Sequence, residues 1–275
     1  MIQYKEYQGI RYFTLGETGE PIVLLHGFCE HAGIWQDFAE RLAPHHQVIA
    51  LDLLGHSPNT EVSDGISFSI DDMADKVVVL LEHLNIICAT VIGHSMGGYV
   101  GLNMLKRYPD YLSGLGLFHS TPYPDDEEKK QNRNRMITIL KEGRKAQFIE
   151  LQMSKLTDEE GWNKIGKSQQ DAIFDMMFSI HQNGMIAALE AMRDRKSTAE
   201  TLIGTPVPIL FILGKKDTII PVTSLQDVLT APLYAYTHVI QDAAHLGMFE
   251  NPDACYSAIK DFMKVKPLWI KQDHE

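Results

Sequence analysis

The amino-acid sequence predicts an α/β fold, a doubly wound, mostly parallel sheet flanked by helices with one inserted helical cap. Three observations predict it. Short apolar runs rich in β-branched residues recur at 21–26, 48–52, 88–93, 112–119 and 207–214. Helical patterns fall between them, at 34–42, 70–84 and 99–108. The alternation stops once, from Pro122 to about Thr205, where only helical candidates occur.

Each element has its own justification. The segments 3–7 and 10–15, around Gly9, read as a hairpin at the sheet edge. The runs that follow are apolar almost without alternation, which suits strands buried on both faces of a parallel sheet. Ser69 or Asp71 is placed to cap the helix at 70–84, and Pro109 stops the one at 99–108. Strand alternating with helix implies right-handed crossovers and a doubly wound sheet. A last strand is expected at 234–241 and a last helix at 252–264.

The interruption opens on the charge run Asp125-Asp126-Glu127-Glu128-Lys129-Lys130, and Gly143, Gly161, Gly166 and Gly184 separate its helices. Half of the chain's methionines lie there: Met136, Met153, Met176, Met177, Met185 and Met192. They either fill the core between helices or line an adaptable apolar pocket. The expected division is a core of residues 1–121 and 206–275, with residues 122–205 as the cap.

Composition bounds the function. With 275 residues, 44% hydrophobic and 22% charged, the chain is long enough for one α/β unit with a substantial core. A net charge of −11 argues against nucleic acid and anionic membrane as partners, which call for basic patches. It also disfavours anionic substrates unless the pocket is locally basic. Cys29, Cys88 and Cys255 are scattered, without disulfide-framework or zinc-type spacing. The first six residues lack the apolar core of a secretory signal, and no apolar stretch nears a membrane span, so a reducing cytoplasm is expected.

The chemistry centres on Gly93-His94-Ser95-Met96-Gly97, directly between an apolar run and a helical stretch. A serine on a strand-to-helix turn is held in a strained conformation that lifts its hydroxyl clear of the sheet, and the flanking glycines let the chain turn so tightly. Such a hydroxyl needs a base within hydrogen-bond reach and a carboxylate to orient that base. Asp217 lies just past the run 207–214, and His245 lies on a small-residue loop between the last strand and the last helix. Asp52 and Asp242 compete for the carboxylate role; Asp52 follows an earlier strand and Asp242 is too near His245 in the chain to orient it easily. His119 ends the strand before the cap and is a candidate pocket residue. His94 is expected to point elsewhere on so sharp a turn. The backbone N–H groups of Met96 and Phe28 are the expected oxyanion donors, the latter from the loop His26-Gly27-Phe28.

Together, His26-Gly27-Phe28, Asp52-Leu53-Leu54-Gly55-His56-Ser57, Gly93-His94-Ser95-Met96-Gly97-Gly98, Gly214-Lys215-Lys216-Asp217 and Ala244-His245 resemble the α/β-hydrolase fold family. The resemblance runs from about residue 10 to 264. It implies eight strands, with the cap inserted after the sixth. It also implies Ser95, Asp217 and His245 as nucleophile, orienting acid and base, with Phe28 and Met96 as oxyanion donors. Where many relatives carry a second glycine after Gly55-His56, this chain has Ser57-Pro58.

The expected activity is cleavage of a small, largely apolar carboxylic ester through an acyl-enzyme, with no metal or organic cofactor. Serine-nucleophile relatives also include carbon–carbon bond hydrolases and cofactor-free perhydrolases, and a slow-turnover ligand-binding receptor keeps the same residues. Serine at position 95 argues against haloalkane dehalogenase and epoxide hydrolase chemistry, which form an ester to an enzyme carboxylate. A small-molecule substrate is the expected partner; the sequence leaves oligomeric state open.

Overall fold

A computed structural model describes residues 2–272. Eight strands form one sheet: β1 (Lys5–Tyr7), β2 (Ile10–Leu15), β3 (Pro21–Leu25), β4 (Gln47–Leu51), β5 (Ala89–His94), β6 (Leu112–Phe118), β7 (Ile209–Gly214) and β8 (Ala235–Ile240). Their spatial order is β1-β2-β4-β3-β5-β6-β7-β8. The hairpin β1–β2 joins antiparallel, and β2 pairs antiparallel with β4; from β4 through β8 every pairing is parallel. The central strands are buried along their whole length in β5 and β7, as their unbroken apolar runs require. The last of these starts at Ile209 rather than 207, just past Pro208, which has no backbone N–H to give a ladder.

Helices α1 (Gln36–Leu42), α2 (Ile70–His83) and α3 (Met96–Arg107) make the early crossovers, and α10 (Gly247–Glu250) and α11 (Pro252–Gln272) follow the last strand. Between β6 and β7 lie α4 (Glu127–Lys141), α5 (Lys145–Leu156), α6 (Glu159–Lys164), α7 (Lys167–Ser179), α8 (Gln182–Asp194) and α9 (Ala199–Leu202). Of the two proposed caps on α2, Ser69 is the one used, in a reciprocal capping box with Asp72. The helix expected from residue 34 begins as a 3₁₀ turn, Ala32–Trp35, before becoming α-helical. The methionines of the insertion mostly fill its interior: Met136, Met153, Met177, Met185 and Met192 are buried.

This arrangement brings the carboxyl ends of β3, β5, β6, β7 and β8 to one edge of the sheet, beneath the inserted helices. Sites in open α/β sheets are built at that edge.

Candidate active site

Ser95 sits between β5 and α3 with φ 48° and ψ −111°, outside the regions that a non-glycine residue adopts at ease. Such a conformation costs of order 1–3 kcal/mol and persists only where the surroundings over-determine it. Here its N–H donates to the Phe118 carbonyl at 2.9 Å, and its own carbonyl accepts from the Ser120 hydroxyl at 2.7 Å. The flanking glycines are steric necessities. A Cβ on Gly93 would lie 2.3 Å from the Gly97 carbonyl, and one on Gly97 would lie 2.5 Å from the Leu25 carbonyl oxygen.

The Ser95 hydroxyl lies 2.9 Å from His245 Nε2, and His245 Nδ1 lies 2.7 Å from Asp217 Oδ2. Asp217 cannot donate when ionised, so Nδ1 carries the proton and Nε2 is left to accept from the hydroxyl. Asp217 is itself fixed: its Oδ1 accepts from the N–H groups of Ile219 and Ile220, at 2.8 and 2.9 Å. Burial alone would raise its carboxyl, but the adjacent His245 imidazole, with His119 farther off, holds it well below the usual carboxylate range.

The loop that carries His245 is pinned on three sides. Its N–H donates to the Leu156 carbonyl at 3.0 Å, at the end of α5. The preceding Ala244 N–H donates to Glu250 Oε2 at 2.8 Å, and the His245 carbonyl oxygen lies 3.0 Å from His94 Nε2. His94 therefore does not point away from the site as expected. The reversal of direction at Ser95 leaves the residue before it facing the His245 loop, with ring centroids 5.1 Å apart. Its Nδ1 meets Glu30 Oε2 at 2.9 Å, and the same oxygen accepts from the Gly27 N–H at 2.6 Å.

The loop after β3 is held from a second direction by His26, which accepts from the Leu53 N–H at 2.8 Å and donates to the Gly27 carbonyl at 2.7 Å. Among the described residues, the N–H groups of Phe28 and Met96 have no hydrogen-bond acceptor.

The competing carboxylates are occupied elsewhere. Asp52 pairs with Arg11 at 2.9 Å and accepts from the Ala32 N–H at 2.8 Å. Asp242 accepts from Asn251 at 2.9 Å. His119 is not a pocket residue: it is fully buried behind Asp217, where its Nδ1 accepts from the Gly214 N–H at 3.0 Å. Its position at the end of β6 places it under the loop after β7 instead of above the sheet edge. Burial depresses its imidazole to about 4, with Asp217 partly opposing.

A cavity of about 50 Å³ opens on the serine, lined by Phe28, Leu156, Met192 and Ile219 and by the polar Tyr99, Arg133 and Gln152. The lining is mixed rather than largely apolar, because α4 and α5 turn polar side chains inward, a direction their sequence does not reveal. A narrower apolar recess beside it is lined in part by Met176 and Met177. Both readings of the insertion's methionines thus apply, and Met177 and Met192 do both: they are buried in the interior and also line these cavities. Among the described residues no cluster of three His, Cys, Asp or Glu side chains is arranged to hold a metal ion, and no helix is long and apolar enough to cross a membrane.

The sequence profile of the alpha/beta hydrolase fold matches residues 20–136, the stretch that carries the loop after β3 and the Ser95 turn. The chain has the α/β-hydrolase fold. Among proteins similar to this chain is the dihydrolipoyllysine-residue acetyltransferase component of the acetoin cleaving system of Pseudomonas putida, 39% identical over 112 residues. That match covers 40% of this chain and spans only 30% of the relative's length. The 2-hydroxy-6-oxo-6-(2'-aminophenyl)hexa-2,4-dienoic acid hydrolase of Metapseudomonas resinovorans is 23% identical over 92% of this chain and 87% of its own. Among solved structures, a thermophilic esterase from Thermogutta terrifontis, with malate bound, superposes with a TM-score of 0.83 at 27% identity, covering 96% of this chain and 97% of that one.

Proposed function

We propose that this α/β hydrolase cleaves a small carboxylic ester through a covalent acyl-enzyme, with Ser95 as nucleophile, His245 as general base and acid, and Asp217 as the orienting carboxylate. The observation that carries the reading is the continuous hydrogen-bond relay from Ser95 Oγ to His245 Nε2 and from Nδ1 to Asp217, at 2.9 and 2.7 Å.

In the first half-reaction Ser95 Oγ attacks the ester carbonyl while His245 Nε2 takes its proton. Asp217 holds the tautomer and stabilises the imidazolium. The oxyanion is received by the N–H groups of Phe28 and Met96, the latter at the positive end of α3, and each such donor is worth about 3 to 4 kcal/mol of transition-state stabilisation. Collapse of the tetrahedral intermediate expels the alkoxide, which His245 protonates. Water then enters, gives its proton to His245 and attacks the acyl-enzyme, and the acid leaves as Ser95 recovers its proton. The cavity over Ser95, at about 50 Å³, supports a small acyl group.

The test is steady-state hydrolysis of p-nitrophenyl acetate. Ser95→Ala is expected to lower kcat by about four to six orders of magnitude. Activity retained in Ser95→Ala contradicts the assignment. In the wild type, one equivalent of nitrophenol released without further turnover marks a slow receptor instead of an enzyme.

A further inference from the structure

The cavity that opens on Ser95 carries polar groups that ester cleavage itself does not use. Arg133, on α4, directs Nε and Nη2 to Asp125, and its Nη1 has no partner among the described residues. Asp125 does not need that second cation. Arg195 already meets it, with Nη1 2.7 Å from Oδ1, and is buried to 5% of its side-chain surface. Arg195 is further anchored by the carbonyls of Met192 and Tyr123, at 2.6 and 2.9 Å. Two guanidinium groups therefore share one carboxylate, and the surplus positive charge lies on the cavity wall, at Arg133.

Two more polar groups line the same space without partners. The Gln152 amide and the Tyr99 hydroxyl make no hydrogen bond among the described residues. Glu30, the acidic residue on the wall, is already engaged by the Gly27 N–H and by His94. The cavity holds only about three or four water-sized groups, so an anion bound there is part of the molecule whose ester reaches Ser95. The field of a chain with net charge −11 repels anions, and a fixed guanidinium beside the serine is the local feature that would overcome it.

We infer that the substrate is a small ester that also carries a carboxylate, and that Arg133 binds this carboxylate, with the Tyr99 hydroxyl and the Gln152 amide as accessory donors. Guanidinium matches the two oxygens of a carboxylate, and such charge-assisted bonds are stronger than neutral ones. This inference rests on the ester-hydrolase reading and deepens it.

The experiment compares kcat/KM for monomethyl succinate and dimethyl succinate, one anionic and one neutral, in the wild type, Arg133→Gln and Arg133→Lys. A charged hydrogen bond of this kind predicts a wild-type preference for the monoester of about tenfold or more. Arg133→Gln is expected to reduce that ratio by about tenfold, and Arg133→Lys to restore part of it. A merely structural role for Arg133 would lower both rates together and leave the ratio unchanged, which overturns the inference. So does a wild type that prefers the diester. If the wild type cleaves p-nitrophenyl acetate but neither succinate ester, the carboxylate inference fails and the hydrolase reading stands. If it cleaves none of the three, the hydrolase reading fails, and calorimetric titration of succinate into Ser95→Ala decides the anion site. Binding that is lost with Arg133→Gln supports the site, and no binding overturns it.

Discussion

His94 Nε2 lies 3.0 Å from the backbone carbonyl oxygen of His245, so the residue before the candidate nucleophile supports the loop that carries the candidate base. Both ring nitrogens of His94 face acceptors, the second being the Glu30 carboxylate at 2.9 Å. Burial alone would lower this imidazole; Glu30 outweighs it and raises it above its ordinary range. Through the Gly27 N–H, Glu30 ties the same unit to the loop that offers the Phe28 N–H. One buried ion pair thus sets the spacing between the candidate oxyanion donor, the serine turn and the imidazole.

Removing the charge from that pair is expected to loosen all three. Glu30→Gln leaves the His94 cation without its counterion and should cost about 2 to 3 kcal/mol of stability. With p-nitrophenyl acetate it should lower kcat by about tenfold, near 1.4 kcal/mol, with a smaller change in KM. Urea melts and steady-state kinetics check this. Wild-type kcat in a destabilised Glu30→Gln would show that the pair serves folding alone.

The pH dependence of stability follows from the buried histidines. His31, His56 and His119 are each depressed to about 4 by burial, and His26 is lowered by burial as well. These groups stay neutral in the fold but take up protons below about pH 6.5 once unfolded. His46 is lowered by burial too. Stability is therefore lost as pH falls from 6.5 toward 4, because unfolding takes up protons over that range. His94 has the opposite sign. Its pKa is raised in the fold, so its contribution is full below about 6.5 and is lost as pH rises through the folded value. Chemical denaturation across pH 4 to 9 should show a maximum near about 6.5. A flat profile from 6.5 to 4 would contradict the neutral burial of these rings.

Asp217→Asn keeps the shape of the site but lets Nδ1 of His245 accept, which turns the proton to the wrong nitrogen. The expected loss in kcat is about four orders of magnitude, with KM little changed. Kinetics on p-nitrophenyl acetate measure it, and a loss below tenfold would assign the orienting role to another group.

Gly93→Ala forces a methyl group to within 2.3 Å of the Gly97 carbonyl. Because the clash is with backbone, no rotamer relieves it, and about 2 to 4 kcal/mol of destabilisation is expected. Thermal melts of purified Gly93→Ala check the figure, and an unchanged Tm would mean that the turn is softer than its geometry implies.

Much of this site was legible in the sequence because its features are local. Gly93 and Gly97 mark the turn, the apolar runs mark the strands, and Asp217 and His245 fall where strands end. The helix after the turn starts at Met96, three residues before its apolar pattern begins, because Gly97 and Gly98 mask the helical signal. What was illegible depends on partners far apart in the chain. Glu30 and His94 are 64 residues apart, and Glu250 reaches back to Ala244 across a turn that has no sequence signature. His119 and His94 exchanged their expected places, one behind Asp217 and the other beside His245, since a residue number gives a strand end but not the side of the loop its ring will face. Arg133 sits among the charges that open α4, where a solvated face and a cavity wall read alike.

The central claim, that His245 activates Ser95 for covalent attack, is tested most directly by intact-mass labelling with a fluorophosphonate. The account predicts a single adduct that maps to Ser95, absent in Ser95→Ala and formed at least about a thousandfold more slowly in His245→Ala. Labelling of His245→Ala at the wild-type rate, or an adduct on another residue, would contradict it.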